Sequence, residues 1–312
     1  MTDGADKPGA YVAKLQAVAK GLRGHAQSDL ARDWLDATGS LPWVRPRRLY
    51  QYPAKKDLFP HAAVMKLPPE HRAMLLSREF GERAYYDGRY AAGLSYWTVI
   101  ETLARAGVTS LAGLRVLDIG YGTILPLRLM ACLGARLTGV DTDTFPIAMY
   151  AEPSDTGAIR AITAVTNPGR VNGSIELARG RVGVDWAPAE YDVIVSRNTL
   201  KRGYVHPLDG QAPSVQLGMD DDAFLGSLRG ALTRGGLVVV YNTFDQDDAG
   251  PGSDGRCPFD RPAFAKAGFE VVGLDEPDDD AQGAYAEVMR GVGAAAAGTA
   301  TPRALYSLVR SV

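Results

Sequence analysis

The segment Val116-Leu117-Asp118-Ile119-Gly120-Tyr121-Gly122-Thr123 has the clearest chemical content in this chain. An apolar strand runs into a tight turn that opens a helix. Gly120 and Gly122 let the backbone turn and approach a ligand closely. About 20 residues later, Asp141 ends a second strand, where a carboxylate could take the two hydroxyls of a ribose. A dinucleotide-binding turn would want a third glycine at position 125, but Leu125 stands there, followed by Pro126. The turn therefore makes no provision for a pyrophosphate. Asp118, two residues before Gly120, suits a cationic amine at the turn rather than a phosphate.

A second polar run follows the apolar strand Tyr191 to Ser196, from Arg197 through Asn198, Lys201, Arg202, Tyr204 and His206 to Pro207. Ligands of open parallel sheets bind beyond the carboxyl ends of the strands, so this run is expected to border a site. Asn198, Tyr204 and His206 are its candidate catalytic groups. His206 could act as a general base because its ordinary pKa is near neutrality, or it could simply cap a loop beside Pro207. Lys201 and Arg202 could hold a substrate carboxylate. A third cluster, Arg83, Tyr85, Tyr86, Arg89 and Tyr90, offers aromatic faces to a ligand cation, worth about 0.5–2 kcal/mol, or else ordinary packing at a helix start. The remaining histidines, His25, His61 and His71, form no ligand pair, and no metal site is expected.

These groups need a sheet to hold them. The strands predicted are Arg115 to Ile119, Arg136 to Val140, Val182 to Val184, Tyr191 to Ser196, Leu237 to Asn242, Phe269 to Leu274 and Ala304 to Val309. Helices are predicted at Tyr90 to Ala106, Ile124 to Leu133 and Ala223 to Leu232, with another ending at Gly268. Strands alternating with helices imply a mostly parallel α/β sheet covered on both faces. Gly291 to Thr299 reads as a flexible loop. The N-terminal part, residues 1–89, is expected to form a helical and irregular cap on the catalytic domain, residues 90–312. Its helices are Tyr11 to Leu22 and Leu30 to Leu35. The six prolines between Leu41 and Pro69 exclude a regular element there, while Trp43, Tyr50, Tyr52 and Phe59 argue against a disordered tail. Arg45, Arg47 and Arg48 read as a solvated loop.

With 312 residues, 46% of them hydrophobic, the chain can bury a large core. A formal net charge of -2 gives no reason to expect a nucleic-acid partner. Two cysteines exclude a disulfide framework; Cys132 reads as buried packing and Cys257 as a loop thiol. The chain opens on a polar stretch without a signal peptide and contains no apolar run of about 20 residues, so a cytoplasmic protein away from membranes is expected.

The ordered set Val116 to Thr123, Gly139-Val140-Asp141, Tyr191 to Ser196 and Leu232-Thr233-Arg234-Gly235-Gly236 resembles class I S-adenosylmethionine (SAM)-dependent methyltransferases. The resemblance covers roughly residues 90 to 312 and implies a Rossmann-like seven-stranded sheet in the order 3-2-1-4-5-7-6, the last strand antiparallel. It implies SAM as cofactor. Asp118, Gly120 and Gly122 would hold its methionine end, with Arg89 at its carboxylate and Tyr90 beside the sulfonium. Asp141 would hold the ribose, Asp185 and Trp186 the adenine, and Ser196 and Asn198 would line the junction with the substrate. The implied activity is methylation of a small molecule, in keeping with secondary metabolism. The alternative is cyclisation of SAM itself, as in methyltransferase-like enzymes that make azetidine-2-carboxylate and release methylthioadenosine. A nicotinamide-dependent oxidoreductase and a non-catalytic SAM-binding protein are the readings outside that class. Methyl transfer from a sulfonium needs little acid–base help when the acceptor is already nucleophilic, so alignment supplies most of the rate.

Overall fold

A computed structural model describes residues 9–89, 93–180, 190–207, 211–245, 254–293 and 301–312. The main sheet has eight strands: β4 (Arg115–Ile119), β5 (Arg136–Asp141), β6 (Gly157–Ile159), β7 (Gly173–Arg179), β8 (Tyr191–Arg197), β9 (Leu232–Phe244), β10 (Phe269–Pro277) and β11 (Arg303–Ser311). Their order is β10-β11-β9-β8-β4-β5-β7-β6. Seven of these reproduce the expected order, with β4 and β5 as the first two strands and β11 antiparallel to both β9 and β10. The short β6, antiparallel to β7, adds an unexpected edge. The chain is thus an α/β protein with a Rossmann-like, mostly parallel sheet.

The central strands are apolar on both sides because helices cover both faces. One face carries Val116, Val193, Val195, Val239 and Tyr241. Against it lie α1 (Ala10–Arg23), α2 (Asp29–Asp36), α6 (Trp97–Arg105), α7 (Ile124–Cys132) and α12 (Asp279–Gly291). The other face carries Leu117, Ile119, Ile194, Val238 and Val240 under α10 (Asp221–Ala231) and α11 (Arg261–Lys266). Asp220 and Asp260 cap these two helices through the amides of Ala223 and Ala263. In α7 every residue but Arg128 is buried, and Pro126 sits in its first turn, where no amide bond is lost.

The third parallel strand is β7, not Val182 to Val184, a stretch that falls outside the described residues. Ile175 is fully buried on β7, while Glu176 points to solvent. The N-terminal segment is also more regular than its prolines suggest. A three-stranded antiparallel sheet, order β2-β1-β3, is built from β1 (Arg47–Gln51), β2 (Leu58–Pro60) and β3 (Leu76–Phe80). The prolines bracket its strands: Pro46 precedes β1, Pro53 follows it and Pro60 ends β2. Pro60 also leads into α3 (His61–Val64), and Pro69 opens α4 (Pro69–Ala73). Arg47 is not solvated; it pairs with Glu152 and with buried Asp155, at 2.8 Å. The chain then forms α5 (Glu82–Asp87), and α8 (Thr144–Met149) follows β5.

The predicted helix from Tyr90 begins in the described chain as a 3-10 turn, Gly93–Tyr96, that leads into α6. The sequence reading missed α12; the loop predicted at Gly291 to Thr299 starts on its last residue, and residues 294–300 are outside the described set. Cys132 is buried on α7, facing the Ser40 hydroxyl. Cys257 is buried too, not loose in a loop, and burial pushes its thiol up to about 12.

Candidate functional site

At the carboxyl end of β4 the backbone turns through Gly120 (φ 72°) and Gly122 (φ 54°), a region that suits glycine. The Gly120 amide donates to the Val140 carbonyl at 2.7 Å, which ties the turn to β5. A Cβ on Gly120 would lie 2.0 Å from Thr199 Oγ1, so the turn and the loop after β8 are in direct contact. Asp141 organises the other side of the turn. Its Oδ2 accepts the Gly122 amide at 3.0 Å, and its Oδ1 accepts the Asp143 amide at 2.8 Å. Each oxygen keeps a further lone pair for a ligand hydroxyl. Burial raises the Asp141 carboxyl, and these amides act in the opposite direction. Beside the turn, a cavity of about 290 Å³ opens at the end of β7, lined by Tyr121, Tyr150, Glu152, Leu177 and Arg179 among others.

Asp118 is 1% exposed. Its Oδ2 accepts the Tyr96 hydroxyl at 2.8 Å, while its Oδ1 is buried with no partner. Burial pushes its carboxyl up to about 7; the Tyr96 hydrogen bond and the Arg197 charge oppose that rise, and Asp141 adds to it. An unmatched buried carboxylate oxygen carries a desolvation cost that a cationic donor would remove. Arg197, the last residue of β8, lies on the same sheet face as Asp118, and its Nε is likewise buried without a partner. Its cross-strand neighbour is Tyr241 of β9. The Tyr241 hydroxyl donates to Asp278 at 3.0 Å and accepts from Gln282 at 3.0 Å.

The N-terminal segment reaches this region directly. The Thr123 hydroxyl donates to the Tyr86 carbonyl at 2.6 Å. A Cβ on Gly88 (φ 63°) would lie 2.7 Å from the Gly122 carbonyl. Arg89 sits 3.6 Å from Asp143 and over the Phe145 ring, near the Asp141 end of the turn. Tyr85 and Tyr86 do not offer faces to a ligand: both are buried, with hydroxyls donated to Asp155 and to the Pro42 carbonyl.

The polar run after β8 divides. Ser196 is fully buried, and its hydroxyl accepts the Leu200 amide at 3.0 Å, on the face away from Asp118. Asn198 (φ 58°) gives its amide side chain to Thr243: Oδ1 accepts the Thr243 amide at 2.7 Å and Nδ2 donates to its hydroxyl at 3.0 Å. It clasps the ends of β8 and β9 together. Lys201 is buried, with Nζ over the Tyr204 ring. His206 is half-exposed, 3.1 Å from Asp221 at the start of α10 and edge-on to Phe259. The structure therefore brings Asp118, Gly120, Gly122 and Asp141 together and sets His206 on the α10–α11 side. Asp185, Trp186 and Tyr90 lie outside the described residues. Among those described, no group of three or more His, Cys, Asp or Glu is arranged to hold a metal, and no helix is long and apolar enough to cross a membrane.

From sequence, Tyr96 has no assigned role, and Arg197 figures only as the start of the polar run after Ser196. Tyr96 was absorbed into a run read for its apolar spacing. Strand alternation sets Arg197 opposite Ser196, but only the strand register places it on the Asp118 face.

No family model and no curated protein matches the chain. Solved structures share parts of its backbone. The 4+2 cyclase SpnF is 17% identical, with a TM-score of 0.42 over 72% of this chain and 84% of its own. An S-adenosylmethionine-dependent methyltransferase from Mesorhizobium loti is 19% identical, with a TM-score of 0.39 over 69% and 97%. Magnesium protoporphyrin IX methyltransferase from Synechocystis, solved with bound S-adenosylhomocysteine (SAH), is 14% identical, with a TM-score of 0.40 over 69% and 81%. These likenesses are too distant to carry function, which rests on the site itself.

Proposed function

We propose that the chain is a SAM-dependent methyltransferase that acts on a small molecule. One observation carries the reading: the buried, unpartnered Oδ1 of Asp118 beneath a two-glycine turn that lacks the third glycine a pyrophosphate would need. Leu125 takes that position and is fully buried, packed where a Cβ on Gly93 would lie 2.6 Å from it. SAM fits these residues: its ammonium would complete Asp118, its ribose hydroxyls would use the free lone pairs of Asp141, and the open side of Gly122 leaves room for its backbone-hugging tail. When bound, it supplies a methyl group already activated on a sulfonium. The protein's task is then alignment and exclusion of water. Tyr96 orients the Asp118 carboxylate, Asp141 fixes the turn and the ribose together, and the α5 segment covers the turn from above.

Arg89 and, beyond the described residues, Tyr90, Asp185 and Trp186 remain further candidates for cofactor contact. Tyr204 and His206 are candidates on the acceptor side. Incubation with SAM alone and with candidate acceptors, followed by mass spectrometry, tests the reading. Formation of SAH with an acceptor supports transfer. Methylthioadenosine without an acceptor would turn the reading to SAM cyclisation, and binding of NAD in preference to SAH would sink both.

A further inference from the structure

Arg197 is the group at this site that the cofactor reading does not use. It ends β8 with its side chain on the face shared by Asp118, Tyr96 and Tyr241, and its Nε is buried without a partner. Among the described residues no carboxylate forms an ion pair with it. The titratable groups around its guanidinium are three neutral phenols, Tyr241, Tyr285 and Tyr96, and one carboxyl, Asp118. Two of those hydroxyls are already committed: Tyr241 donates to Asp278 and Tyr96 to Asp118. Tyr285, on α12, makes no hydrogen bond among the described residues. The guanidinium, half-buried and with its Nε unpartnered, therefore has donors to spare for a further anion.

Its position separates it from the cofactor. The glycine turn is tied to β5 through Asp141 and Val140, on one side of β4. Arg197 belongs to β8, on the other side, and is paired across to β9. A cofactor stretched from Asp141 across the turn would bring its ammonium to Asp118, and Arg197 lies one strand further on.

We infer that Arg197 anchors a carboxylate of the methyl acceptor, so that the acceptor is a small carboxylate-bearing molecule. The inference rests on the SAM reading for the word acceptor. A planar guanidinium matches a carboxylate through two parallel N–H bonds, and the Tyr285 hydroxyl is available as a further donor.

The test uses the full chain, acetate and benzoate as carboxylate probes, and acetamide and benzamide as their neutral counterparts. The intrinsic fluorescence of SAH-saturated protein is followed during each titration. The carboxylates should bind in preference to the amides. With all titrations at about pH 8.5, above the Asp118 titration, Arg197→Gln should weaken them by about tenfold or more while SAH affinity stays within about twofold, and Arg197→Lys should fall between. Equal carboxylate binding by the wild type and Arg197→Gln, or none by the wild type, overturns the inference. So does a loss of SAH affinity in Arg197→Gln that spares methylthioadenosine, which lacks the aminoacyl end, because Arg197 would then hold the cofactor's own carboxylate. If the wild type binds neither SAH nor methylthioadenosine, the cofactor reading fails on its own. The same titrations on ligand-free protein then still decide whether Arg197 is a carboxylate site.

Discussion

Asp118 and Arg197 stand on neighbouring strands, on one face of the sheet, with opposite charges and no ion pair between them. Val195 is the register partner of Asp118, so Arg197 lies two residues further along the same face. Asp118 Oδ1 and Arg197 Nε are both buried and both unpartnered. A protein that needed only stability would have closed this gap or filled it with apolar side chains. Kept apart, each leaves hydrogen-bonding capacity unused within the protein.

On the proposed reading, Asp118 should make cofactor binding pH-dependent. Its carboxyl rises from an ordinary 3.8 to about 7 in the folded protein. A bound ammonium needs the ionised form, so SAH affinity should strengthen as pH rises through about 7 and level off above it. Stability of the ligand-free protein should run the other way. The folded state holds the proton more tightly than the unfolded chain, so this contribution is full below about pH 3.8 and is lost as pH rises through about 7. Tyr96, Asp141 and Arg197 are its charged or titrating neighbours, and burial raises the Asp141 carboxyl as well. Asp118→Asn separates them. Calorimetry across pH 5.5 to 8.5, roughly the range where this carboxyl titrates, should show weaker binding with a flattened profile. An unchanged profile would remove Asp118 from the ammonium site.

Asp141 holds the glycine turn and, on the proposed reading, the ribose. Asp141→Ala should weaken SAH by about 1.5–3 kcal/mol, roughly tenfold to a hundredfold, and should also lower the melting midpoint because the Gly122 and Asp143 amides lose their acceptor. A lower midpoint with unchanged SAH affinity would mean that Asp141 serves the turn alone.

Gly120→Ala tests how tightly the turn is packed. The new Cβ meets Thr199 Oγ1 at 2.0 Å and enters a φ of 72°. The backbone conformation alone should cost about 1–2 kcal/mol, and the contact adds to it. In the double variant Gly120→Ala/Thr199→Gly the contact, which includes Thr199 Cβ at 2.8 Å, should be relieved and the backbone cost at residue 120 should remain. Full recovery in denaturant melts would show that strain at φ is negligible here.

Strands β4, β5, β8 and β9 were legible because each contains a short apolar run bounded by turn residues, their order followed from the resemblance to methyltransferases, and the glycine turn with its two acids marked the candidate site, while the third parallel strand was misplaced. Three things were hidden for physical reasons. Prolines around β1 and β2 looked like a break in structure, whereas Pro46 and Pro53 lie just outside the central strand β1 and Pro60 ends the edge strand β2, so they merely delimit pairing. Helix α12 has a single fully buried residue, Gln282, so it shows little apolar periodicity; Val288 packs against Gly21 of α1, where a Cβ would lie 2.6 Å away. Arg197 was invisible as a site residue because a lone arginine at a strand end has no motif. Only the register that sets it beside Tyr241 and on the side of Asp118 gives it a role.

The remaining prediction concerns the N-terminal segment as a cover for the cofactor. It meets the glycine turn at two points, Thr123 on the Tyr86 carbonyl and Gly88 against the Gly122 carbonyl, and β2 is fixed to α8 through the Leu58 amide and the Thr144 hydroxyl. Ligand binding that orders the turn should therefore order α5 with it. Amide hydrogen exchange with and without SAH should show protection rising at residues 82–89 together with residues 120–123, and less strongly in β1 and β2. In Gly88→Ala the added methyl group pushes on the Gly122 carbonyl in a backbone conformation with φ 63°, so SAH affinity should fall although residue 88 contributes no side-chain group to the ligand. Protection confined to the turn and Asp141, with Gly88→Ala binding as the wild type, would make the N-terminal segment a structural appendage.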